Sequence, residues 1–558
     1  MARKSVSIRV VLKNSNPEHR FDLRSTFSLS RAASSCSFSA DGQMKTPNST
    51  SNLTFSSPDT VVTRRQFLAG ASAVAAAVTL APRHVLGGAG RVPPSEKINL
   101  AYIGCGTQGL RQLMPALEKP ELNIVAVCDP NRQSDDYPEW SRHEVNEKVA
   151  KFLGDPNWAR GARGGLCGRE VGLAVVNHHY AKTRGAGQGK ACRAYADFRE
   201  LLAQEKELDA VYIMTPEHLH GVIAVRAMRQ GKHVITHKPI ANVFDEVRAA
   251  RDTARQTGVA SQLFCSAGLG STPTIKEWLD SGAIGQVREV HNWSSRPFWP
   301  QGMTELPAGT PPIPDGFQWD LWLGPAAERP YHPAYTHAVF RGWCDFGTGA
   351  LGDMGHYSFH QIFQILELGS PVAVEATRSQ FWKIADYTWH KQTNLLSYPR
   401  ASLIRWEFPA RGLRPPLSLH WYDGGLRPPL LQELEADGEA MEDEGLLFVG
   451  DDGKLLADFM GGKPRLIPKA RMREFKEPPE TLPRPIEELD QFIRSCHGGP
   501  PADASFERAY PFAETILLGT IALRVNGKLR WDTAKAEFTN SAQANELKHR
   551  KNRPGWEV

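Results

Sequence analysis

A glycine-rich loop between a strand and a helix is the feature that most limits what this chain can fold into. Residues 97–103 form an apolar strand pattern that leads directly into a G-x-G-x-x-G loop, and a helical pattern of leucines follows. The first glycine allows a tight turn, the second lets the backbone approach a pyrophosphate, and the third lets the helix pack against the strand. The pattern predicts a Rossmann-type sheet that binds a dinucleotide. The loop residues expected to contact it are Gly104, Gly106, Thr107, Gln108 and Gly109.

An acidic residue at the end of the second strand indicates which dinucleotide binds. The strand pattern of residues 124–128 ends at Asp129, twenty residues after Gly109. A carboxylate at this place accepts hydrogen bonds from the adenosine ribose hydroxyls and repels a 2′-phosphate. We therefore expect NAD as the cofactor. The nearby Arg132 leaves NADP open as an alternative.

Alternating strand and helix patterns continue through this half of the chain. The predicted dinucleotide-binding domain spans residues 96–240 and carries an insertion at about residues 131–194 that is rich in glycine and arginine. So long a stretch serves as a lid or an interface, or it is a solvated loop without a role. The carboxyl ends of parallel strands line the ligand crevice. On that ground we expect five further residues to face the cofactor: Thr215, Pro216, His218, His220 and Lys238.

The sequence pattern changes after residue 240. One helix is followed by long strand-like runs rich in Trp and Pro, such as residues 285–293 and 403–408. These runs predict an α+β substrate domain over residues 241–558 with a large, mainly antiparallel open sheet, one face of which is covered. The C-terminal segment is expected to pack back on this body.

Four polar side chains share one predicted helix in the second domain. Glycines give way to a helical pattern on which Asp353, His356, Tyr357 and His360 stand at i, i+3, i+4 and i+7, so all four project from one face. Each histidine, and the tyrosine, is also compatible with a structural role. We expect no metal ion there, although Asp353, His356 and His360 have residue types that bind one.

With these motifs the chain resembles the Gfo/Idh/MocA family, which is named for glucose-fructose oxidoreductase and inositol dehydrogenase. The shared features are the glycine loop, the T-P-x-H-x-H segment of residues 215–220, and the G-K-H-V run that leads to Lys238 and Pro239. The resemblance covers roughly residue 97 to the C-terminus and implies an NAD(P)-dependent enzyme in which Lys238 is catalytic. In the family a glutamate precedes this lysine. This chain has His237 there, which leaves the electrostatic partner of the lysine open.

The resemblance also implies roles for the polar helix face. The family segment reads Asp-x-x-x-His, or Asp-x-x-x-Tyr in the glucose-fructose oxidoreductase type, and its last residue handles the substrate proton. Counting from Asp353 places Tyr357 there, with His356 as the alternative acid/base. Lys238 is expected to stabilise the developing alkoxide and to lower the pKa of Tyr357, while Asp353 orients the groups. The expected substrate contacts are Lys238, His360, Trp299 and Arg341.

These roles predict an oxidoreductase that acts on a secondary hydroxyl of a sugar, polyol or glycoside. Two other functions stay open. One is an NAD-using glycosidase or lyase that works by transient oxidation and elimination, and the other is a non-catalytic sugar- or nucleotide-binding protein. A net charge of +5 over 558 residues is too weak to indicate nucleic-acid binding. We expect a homo-oligomer.

The first 95 residues are interpreted as a tail and an export signal. Arg64 and Arg65 precede a small, apolar run over residues 69–81, which is the layout of a twin-arginine signal. We therefore expect the twin-arginine translocation machinery as a partner and a periplasmic or exported location. No clear cleavage site precedes Lys97, so an uncleaved signal that anchors the protein to the membrane is an alternative. The start of translation is either Met1 or Met44.

Overall fold

The computed structural model of the protein describes residue 93 and residues 96–139, 141–184, 192–265, 271–392 and 394–558. The twin-arginine signal predicted at Arg64 and Arg65 lies outside these residues. Within the described part of the chain, no helix is both long enough and apolar enough to cross a membrane.

The first sheet consists of six strands joined mainly by helices. The elements of this half, in chain order, are β1 (Ile98–Ile103), α1 (Thr107–Glu118), β2 (Leu122–Cys128), β3 (Ser134–Tyr137), α2 (Glu144–Leu153), β4 (Gly165–Cys167), α3 (Arg169–Arg184), β5 (Arg193–Tyr195), α4 (Phe198–Gln204), β6 (Ala210–Ile213), α5 (Glu217–Arg229), β7 (His233–His237), α6 (Phe244–Thr257) and β8 (Ser261–Phe264). The sheet order is β5-β2-β1-β6-β7-β8, and all neighbours are parallel. The order reverses between β1 and β6, which is the switch point where Rossmann sheets bind ligands. The predicted fold of this half is confirmed.

Two boundaries differ from the predicted ones. The first sheet continues past residue 240, because β8 pairs with β7 in parallel. The pattern change at residue 241 therefore marks one more crossover helix, α6, and not a new domain. Helix α3 is the crossover between β2 and β5, so the inserted residues are about 131–168. They contain α2 and a small antiparallel pair, β3 with β4.

The second sheet has nine strands. The elements that follow β8 are α7 (Thr272–Asp280), β9 (Val287–Trp293), α8 (Trp319–Leu323), a 3-10 helix (His337–Gly342), α9 (Gly349–Leu366), β10 (Ala373–Arg378), β11 (Phe381–Ala385), β12 (Thr388–Gln392), β13 (Ser402–Phe408), β14 (Leu417–Asp423), α10 (Gln432–Ala436), β15 (Gly445–Gly450), β16 (Gly453–Ala457), β17 (Arg465–Ile467), α11 (Lys469–Glu474), α12 (Glu488–Cys496), α13 (Phe506–Ala522), β18 (Leu529–Asp532), β19 (Glu537–Phe538) and α14 (Ala542–Glu546). The order is β17-β16-β15-β9-β14-β13-β10-β18-β19. Only β9 and β14 pair in parallel, which confirms the mainly antiparallel sheet.

Helix α9 covers one face of the second sheet. The hydroxyl of Ser358 donates to the side-chain oxygen of Asn292 on β9 (2.6 Å). Trp421 on β14 packs edge-on against Phe359, with ring centroids 6.1 Å apart. Both Phe359 and Trp421 belong to the hydrophobic core that also contains residues of β6 and α5. This shared core fixes α9 at the junction of the two domains.

Candidate active site

The loop after β1 has a backbone shape that excludes side chains. Gly104 adopts a φ of +105°, and a Cβ atom there would lie 2.5 Å from the carbonyl carbon of Met214. A Cβ atom at Gly109 would lie 2.2 Å from the carbonyl oxygen of Gly104. The hydroxyl of Tyr102 donates to the carbonyl oxygen of Gly109 (2.7 Å). Glycine is therefore required at both ends of the loop, because backbone atoms cannot move aside.

The start of α1 presents free N–H groups at this loop. The first backbone hydrogen bond of the helix runs from the N–H of Leu110 to the carbonyl oxygen of Gly106 (2.8 Å). The N–H groups of Thr107, Gln108 and Gly109 therefore have no acceptor within the helix. Gly106, at the N-cap, supplies no capping side chain. Free N–H groups at a helix start, approached over glycine backbone, fit the pyrophosphate of a dinucleotide.

Asp129 lies at the end of β2, beside the loop. One carboxylate oxygen accepts the N–H of Cys105 (2.7 Å), and the other accepts the N–H of Asn131 (2.8 Å). Burial raises the pKa of Asp129, and these two hydrogen bonds oppose the shift. Each oxygen keeps a second lone pair for a ribose hydroxyl. The carboxylate thus holds the loop in place in addition to its predicted contact with the cofactor.

The insertion packs against the cofactor loop. A Cβ atom at Gly106 would lie 3.2 Å from a ring carbon of Tyr137, the last residue of β3. The ring of Tyr137 lies against that of His337 in the second domain, with centroids 3.7 Å apart. Nε2 of His337 is 3.1 Å from the carboxylate of Asp136. The insertion therefore forms an interface between the loop and the second domain.

The two histidines of the T-P-x-H-x-H segment have different surroundings. The ring nitrogens of His220 lie 2.7 Å from the carbonyl oxygen of Thr215 and 2.6 Å from that of Pro239, so this side chain joins the ends of β6 and β7. His218 instead contacts the carbonyl oxygen of Trp322 (2.9 Å). Burial lowers the pKa of His218 to about 3. The structure places His218 in the core and not beside the cofactor loop.

Lys238 lies in a buried charged cluster that joins the two domains. Its ammonium forms an ion pair with Asp353 near the start of α9, and the two side chains are 2% and 9% exposed. Nε of Arg341, in the 3-10 helix, donates to the same oxygen of Asp353 (2.9 Å). Asp353 is therefore the partner that the sequence left open. His237, which occupies the position of the family's glutamate, packs against Phe264 instead.

The charged groups in this cluster shift one another's pKa values. Burial alone would raise the pKa of Asp353, but Lys238 and Arg341 together hold it well below its usual value, so the carboxylate is ionised. Burial lowers the pKa of Lys238. The ion pair with Asp353 opposes this shift, and the charge of Arg341 adds to it. A lysine with a lowered pKa exchanges protons more readily near neutral pH.

Glu217 joins the cluster, and the sequence reasoning missed it. It follows Pro216 as the first residue of α5 and is buried. One carboxylate oxygen accepts the hydroxyl of Thr348. The other lies 3.9 Å from Nε of Arg341 and has no hydrogen bond within the described chain. Burial raises the pKa of Glu217 to about 7, against the charges of Arg341 and Lys238. The available signal was an acid at the start of the helix that follows β6.

Tyr357 follows Asp353 by one helical turn and lies next to Lys238. Nζ of Lys238 is 4.9 Å from the centroid of the tyrosine ring. The hydroxyl makes no hydrogen bond to another described residue, and the side chain is partly exposed. The expectation that Lys238 lowers the pKa of Tyr357 is wrong, because burial and the charge of Asp353 raise it. The lysine ammonium lies over the face of the ring.

His356 and His360 point toward α13. Their ring centroids lie 6.1 Å and 5.4 Å from that of Phe512. Burial lowers their pKa values to about 3 and about 4. His360 stands about 10 Å along the helix from Asp353, at 1.5 Å per residue. The prediction of one common site for all four side chains is therefore corrected for His360, whereas Lys238 and Asp353 still act on the pKa of His356. Among the described residues, the two histidines do not form a cluster of metal-ligand atoms with Asp353.

Trp299 lies beside Arg341 and lines a cavity of 540 Å³. The guanidinium carbon of Arg341 is 5.7 Å from the ring centroid of Trp299. Gln301 and Arg400 also line the cavity. An aromatic face surrounded by polar groups suits a sugar ring. Arg341 thus connects this cavity with the charged cluster at Asp353.

Two family models match the chain. The model described as the oxidoreductase family, NAD-binding Rossmann fold, matches residues 169–264. The model described as the oxidoreductase family, C-terminal alpha/beta domain, matches residues 274–399 and 432–558. Both describe Gfo/Idh/MocA proteins, and together they match more than half of the chain. The chain belongs to the Gfo/Idh/MocA oxidoreductase family.

Several named proteins resemble this Gfo/Idh/MocA protein. It is 33% identical over 118 residues to dTDP-3,4-didehydro-2,6-dideoxy-alpha-D-glucose 3-reductase of Streptomyces violaceoruber, covering 21% of this chain and 34% of that protein. It is 29% identical over 113 residues to levoglucosan dehydrogenase of Pseudarthrobacter phenanthrenivorans, covering 19% and 28%. The matches thus span about a third of these relatives' length. The solved aldose-aldose oxidoreductase of Caulobacter crescentus is 17% identical with a TM-score of 0.44, covering 78% and 99%.

The structure of this Gfo/Idh/MocA protein separates the predicted site residues into two groups. The loop of residues 104–109, Asp129, Thr215 and Pro216 lie around the switch point of the first sheet. The residues brought together at the charged cluster or beside it are Lys238, Asp353, Tyr357, Arg341 and Trp299. His220 joins the strand ends between the two regions, and His356 lies close enough to the charged cluster for Lys238 and Asp353 to act on its pKa. The residues placed outside these two regions are His218 and His360.

Proposed function

We propose that this protein is an NAD-dependent oxidoreductase that acts on a secondary hydroxyl of a sugar or polyol. One observation carries the proposal. Lys238, at the carboxyl end of β7, is held by Asp353 and Arg341 of the second domain, with Tyr357 beside it. The arrangement puts a proton-exchanging amine and a phenolic hydroxyl at the edge of the cofactor-binding sheet, where oxidation of an alcohol needs them.

The residues around the switch point fit NAD. The N–H groups of Thr107, Gln108 and Gly109 would bind the pyrophosphate, and Asp129 would bind the ribose hydroxyls and disfavour a 2′-phosphate. When bound, NAD⁺ accepts the hydride from the carbinol carbon. The chain's own contribution is to position the substrate and to handle the hydroxyl proton.

Lys238 takes the hydroxyl proton in this proposal. Because burial lowers its pKa, Lys238 can give up its own proton and then accept that of the hydroxyl as the carbon–hydrogen bond breaks and the oxygen becomes a carbonyl oxygen. The carboxylate of Asp353 stabilises the ammonium that results, and Arg341 keeps that carboxylate in place. The hydroxyl of Tyr357 is the second group that reaches the same substrate oxygen, as a hydrogen-bond donor.

A sugar or polyol is the proposed substrate class. The Streptomyces relative is named as a reductase of a dTDP-linked deoxysugar, and the Pseudarthrobacter relative as a dehydrogenase of levoglucosan. The cavity of 540 Å³ beside Trp299 has room for a sugar ring. These features support a polyhydroxylated substrate.

A screen of substrates tests this function. Purified protein is mixed with NAD⁺ or NADP⁺ and a set of sugars, polyols and glycosides, and the absorbance of the reduced cofactor is followed at about 340 nm. We expect reduction with at least one alcohol of the set and a preference for NAD⁺. Hydrolysis of a glycoside without net formation of NADH would instead favour the NAD-using glycosidase. Failure of the whole set, with no NAD bound by the protein, would contradict the proposal.

We also propose that the protein is exported through the twin-arginine pathway. The support is the Arg64 and Arg65 pair followed by the small, apolar run of residues 69–81. The double variant Arg64→Lys with Arg65→Lys is expected to stay in the cytoplasm as a folded protein. Fractionation of cells followed by immunoblotting measures this, and normal export of the variant would contradict the proposal.

A further inference from the structure

Two histidines and a glutamate cluster on the nine-stranded sheet. His291 on β9 and His420 on β14 are register partners on neighbouring parallel strands. Their rings stack with centroids 4.6 Å apart and planes inclined by 16°. Glu289 precedes His291 by two residues, and its Oε2 lies 3.1 Å from Nε2 of His291. The three side chains each offer a ligand atom, and these atoms lie within 4.8 Å of one another.

This cluster is on the opposite face of the sheet from α9. Asn292 and Trp421, the next residues along β9 and β14, contact α9 through Ser358 and Phe359. Successive side chains of a strand point to opposite faces. The side chains of residues 291 and 420 therefore point away from α9. The cluster is separate from the charged cluster at Lys238, which lies at the start of that helix.

Two hydroxyl groups hold the imidazole rings. The hydroxyl of Tyr422 is 3.0 Å from Nδ1 of His291, and the hydroxyl of Ser418 is 2.9 Å from Nε2 of His420. Each hydroxyl oxygen can accept the ring N–H at that position. A metal ion would then replace the proton through which Nε2 of His291 donates to Glu289, and would meet the free lone pair of Nδ1 of His420. Histidines that bind metals are typically held in this way, with a partner at the second ring nitrogen.

We propose that Glu289, His291 and His420 bind a zinc ion. Two imidazole nitrogens and a carboxylate oxygen are a donor set that Zn²⁺ favours. Bonds of about 2 Å to a tetrahedral ion place its ligand atoms roughly 3–4 Å apart. Contraction of the cluster, together with rotation of the two stacked rings so that their lone pairs converge, forms the site. Three protein ligands leave the fourth position to water.

The charge around the cluster permits a cation. Arg405 is the register partner of His420 on the next strand, and its positive charge acts on that histidine. Its Nη1 lies 3.4 Å from a carboxylate oxygen of Glu375 and 3.2 Å from one of Glu407. These two acids offset the arginine charge, and Glu289 supplies a negative charge at the site itself. The arginine charge beside the site is thus largely offset by these acids.

Metal titration of the full chain tests the site. Protein without a histidine tag is stripped with a chelator, then titrated with Zn²⁺ by calorimetry and with Co²⁺ by visible absorption. We expect one ion per chain. Glu289→Gln and His420→Ala should each weaken Zn²⁺ binding by a factor of about 10 or more, since each removes a ligand. The matched control is His390→Ala, which removes an exposed histidine from β12 and should bind Zn²⁺ as the wild type does.

Two results would overturn the proposal. One is the absence of stoichiometric Zn²⁺ binding by the wild type. The other is equal affinity in the wild type, in Glu289→Gln and in the double variant His291→Ala with His420→Ala. Glu289 is exposed, so its variant tests the site without disturbing the packing of the sheet. The result is also independent of the oxidoreductase proposal, because no substrate or dinucleotide enters the titration.

Discussion

The cofactor loop and the charged cluster lie at the same edge of the first sheet but are built from different parts of the chain. The loop uses backbone atoms, since Gly104 and Gly109 have no room for a side chain and the first N–H groups of α1 have no acceptor within the helix. The cluster uses side chains from four separate segments: Glu217, Lys238, Arg341 and Asp353. The loop can therefore form within one domain, whereas the cluster exists only when both domains are packed together. Cofactor binding and proton handling should accordingly be separable by substitution.

Removal of the carboxylate at the centre of the charged cluster should have the largest effect, a loss of folding stability. Asp353→Asn leaves Lys238 and Arg341 buried together without the charge that both contact. Removal of one partner from a buried ion pair costs about 3–5 kcal/mol, and unfolding by denaturant measures the loss. The matched control is Glu507→Gln, which removes an exposed acid paired with Arg255 and should leave the free energy of unfolding nearly unchanged. Equal effects of the two substitutions would show that the cluster is not a stabilising unit.

Gly109→Ala tests whether the backbone of the glycine loop binds the cofactor. The added Cβ would meet the carbonyl oxygen of Gly104 at 2.2 Å, so α1 must shift away from β1. We expect the NAD affinity to fall by a factor of about 10–100, because the shift moves the N–H groups that are expected to bind the pyrophosphate. Gly369→Ala is the control, since its nearest neighbour is the Arg411 side chain at 3.7 Å. Calorimetric titration with NAD⁺ measures the affinity of both variants. Wild-type affinity in Gly109→Ala would show that the loop does not bind the cofactor.

Tyr357→Phe compared with His356→Ala separates the two candidate proton-handling groups. The first substitution removes a hydroxyl beside Lys238 and should lower the turnover number by a factor of about 10, with little change in NAD binding. The second removes a ring that packs against Phe512 and should lower stability more than turnover. Initial rates at saturating substrate decide between them. If His356→Ala abolishes turnover and Tyr357→Phe is silent, the histidine handles the proton.

Glu217→Gln should produce the smallest effect, which is a change in how the melting temperature depends on pH. Burial raises the pKa of Glu217 from 4.5 to about 7. Between these values the unfolded chain has lost a proton that the folded protein keeps, so the stabilisation from this group decreases as pH rises. Glutamine does not titrate. We expect the melting temperature of the wild type, relative to the variant, to fall by about 2–4 °C from pH 5 to pH 8. A constant difference across this range would contradict the assignment.

The parts that the sequence predicted depend on local pattern. Asp129 and Lys238 each lie at the end of a strand in a regular alternation of strands and helices, so the sheet order alone places them near the glycine loop. Asp353 and Tyr357 are one turn apart on α9, and that spacing brings both to Lys238. In these cases the fold of one short segment determines where the side chain lies.

The remaining features depend on packing between distant segments. Helical spacing predicts which side chains share a face of a helix, but it does not predict which element packs against that face. The contacts of His356 and His360 with Phe512 could therefore not be predicted. Burial at the domain junction raises the pKa of Glu217, and no sequence motif indicates that burial. The pairing of His291 with His420 requires the register of β9 and β14, which are far apart in the sequence.

Lys238→Ala tests the central claim most directly, namely that this lysine, held by Asp353 and Arg341, handles the proton of the substrate hydroxyl. The measurement compares NAD⁺ affinity and the rate of NADH formation at saturating substrate in the variant and the wild type. We predict that NAD⁺ affinity is retained while the rate falls by a factor on the order of 10² or more, because the lysine acts mainly in the transition state. A variant that forms NADH at the wild-type rate would contradict the claim.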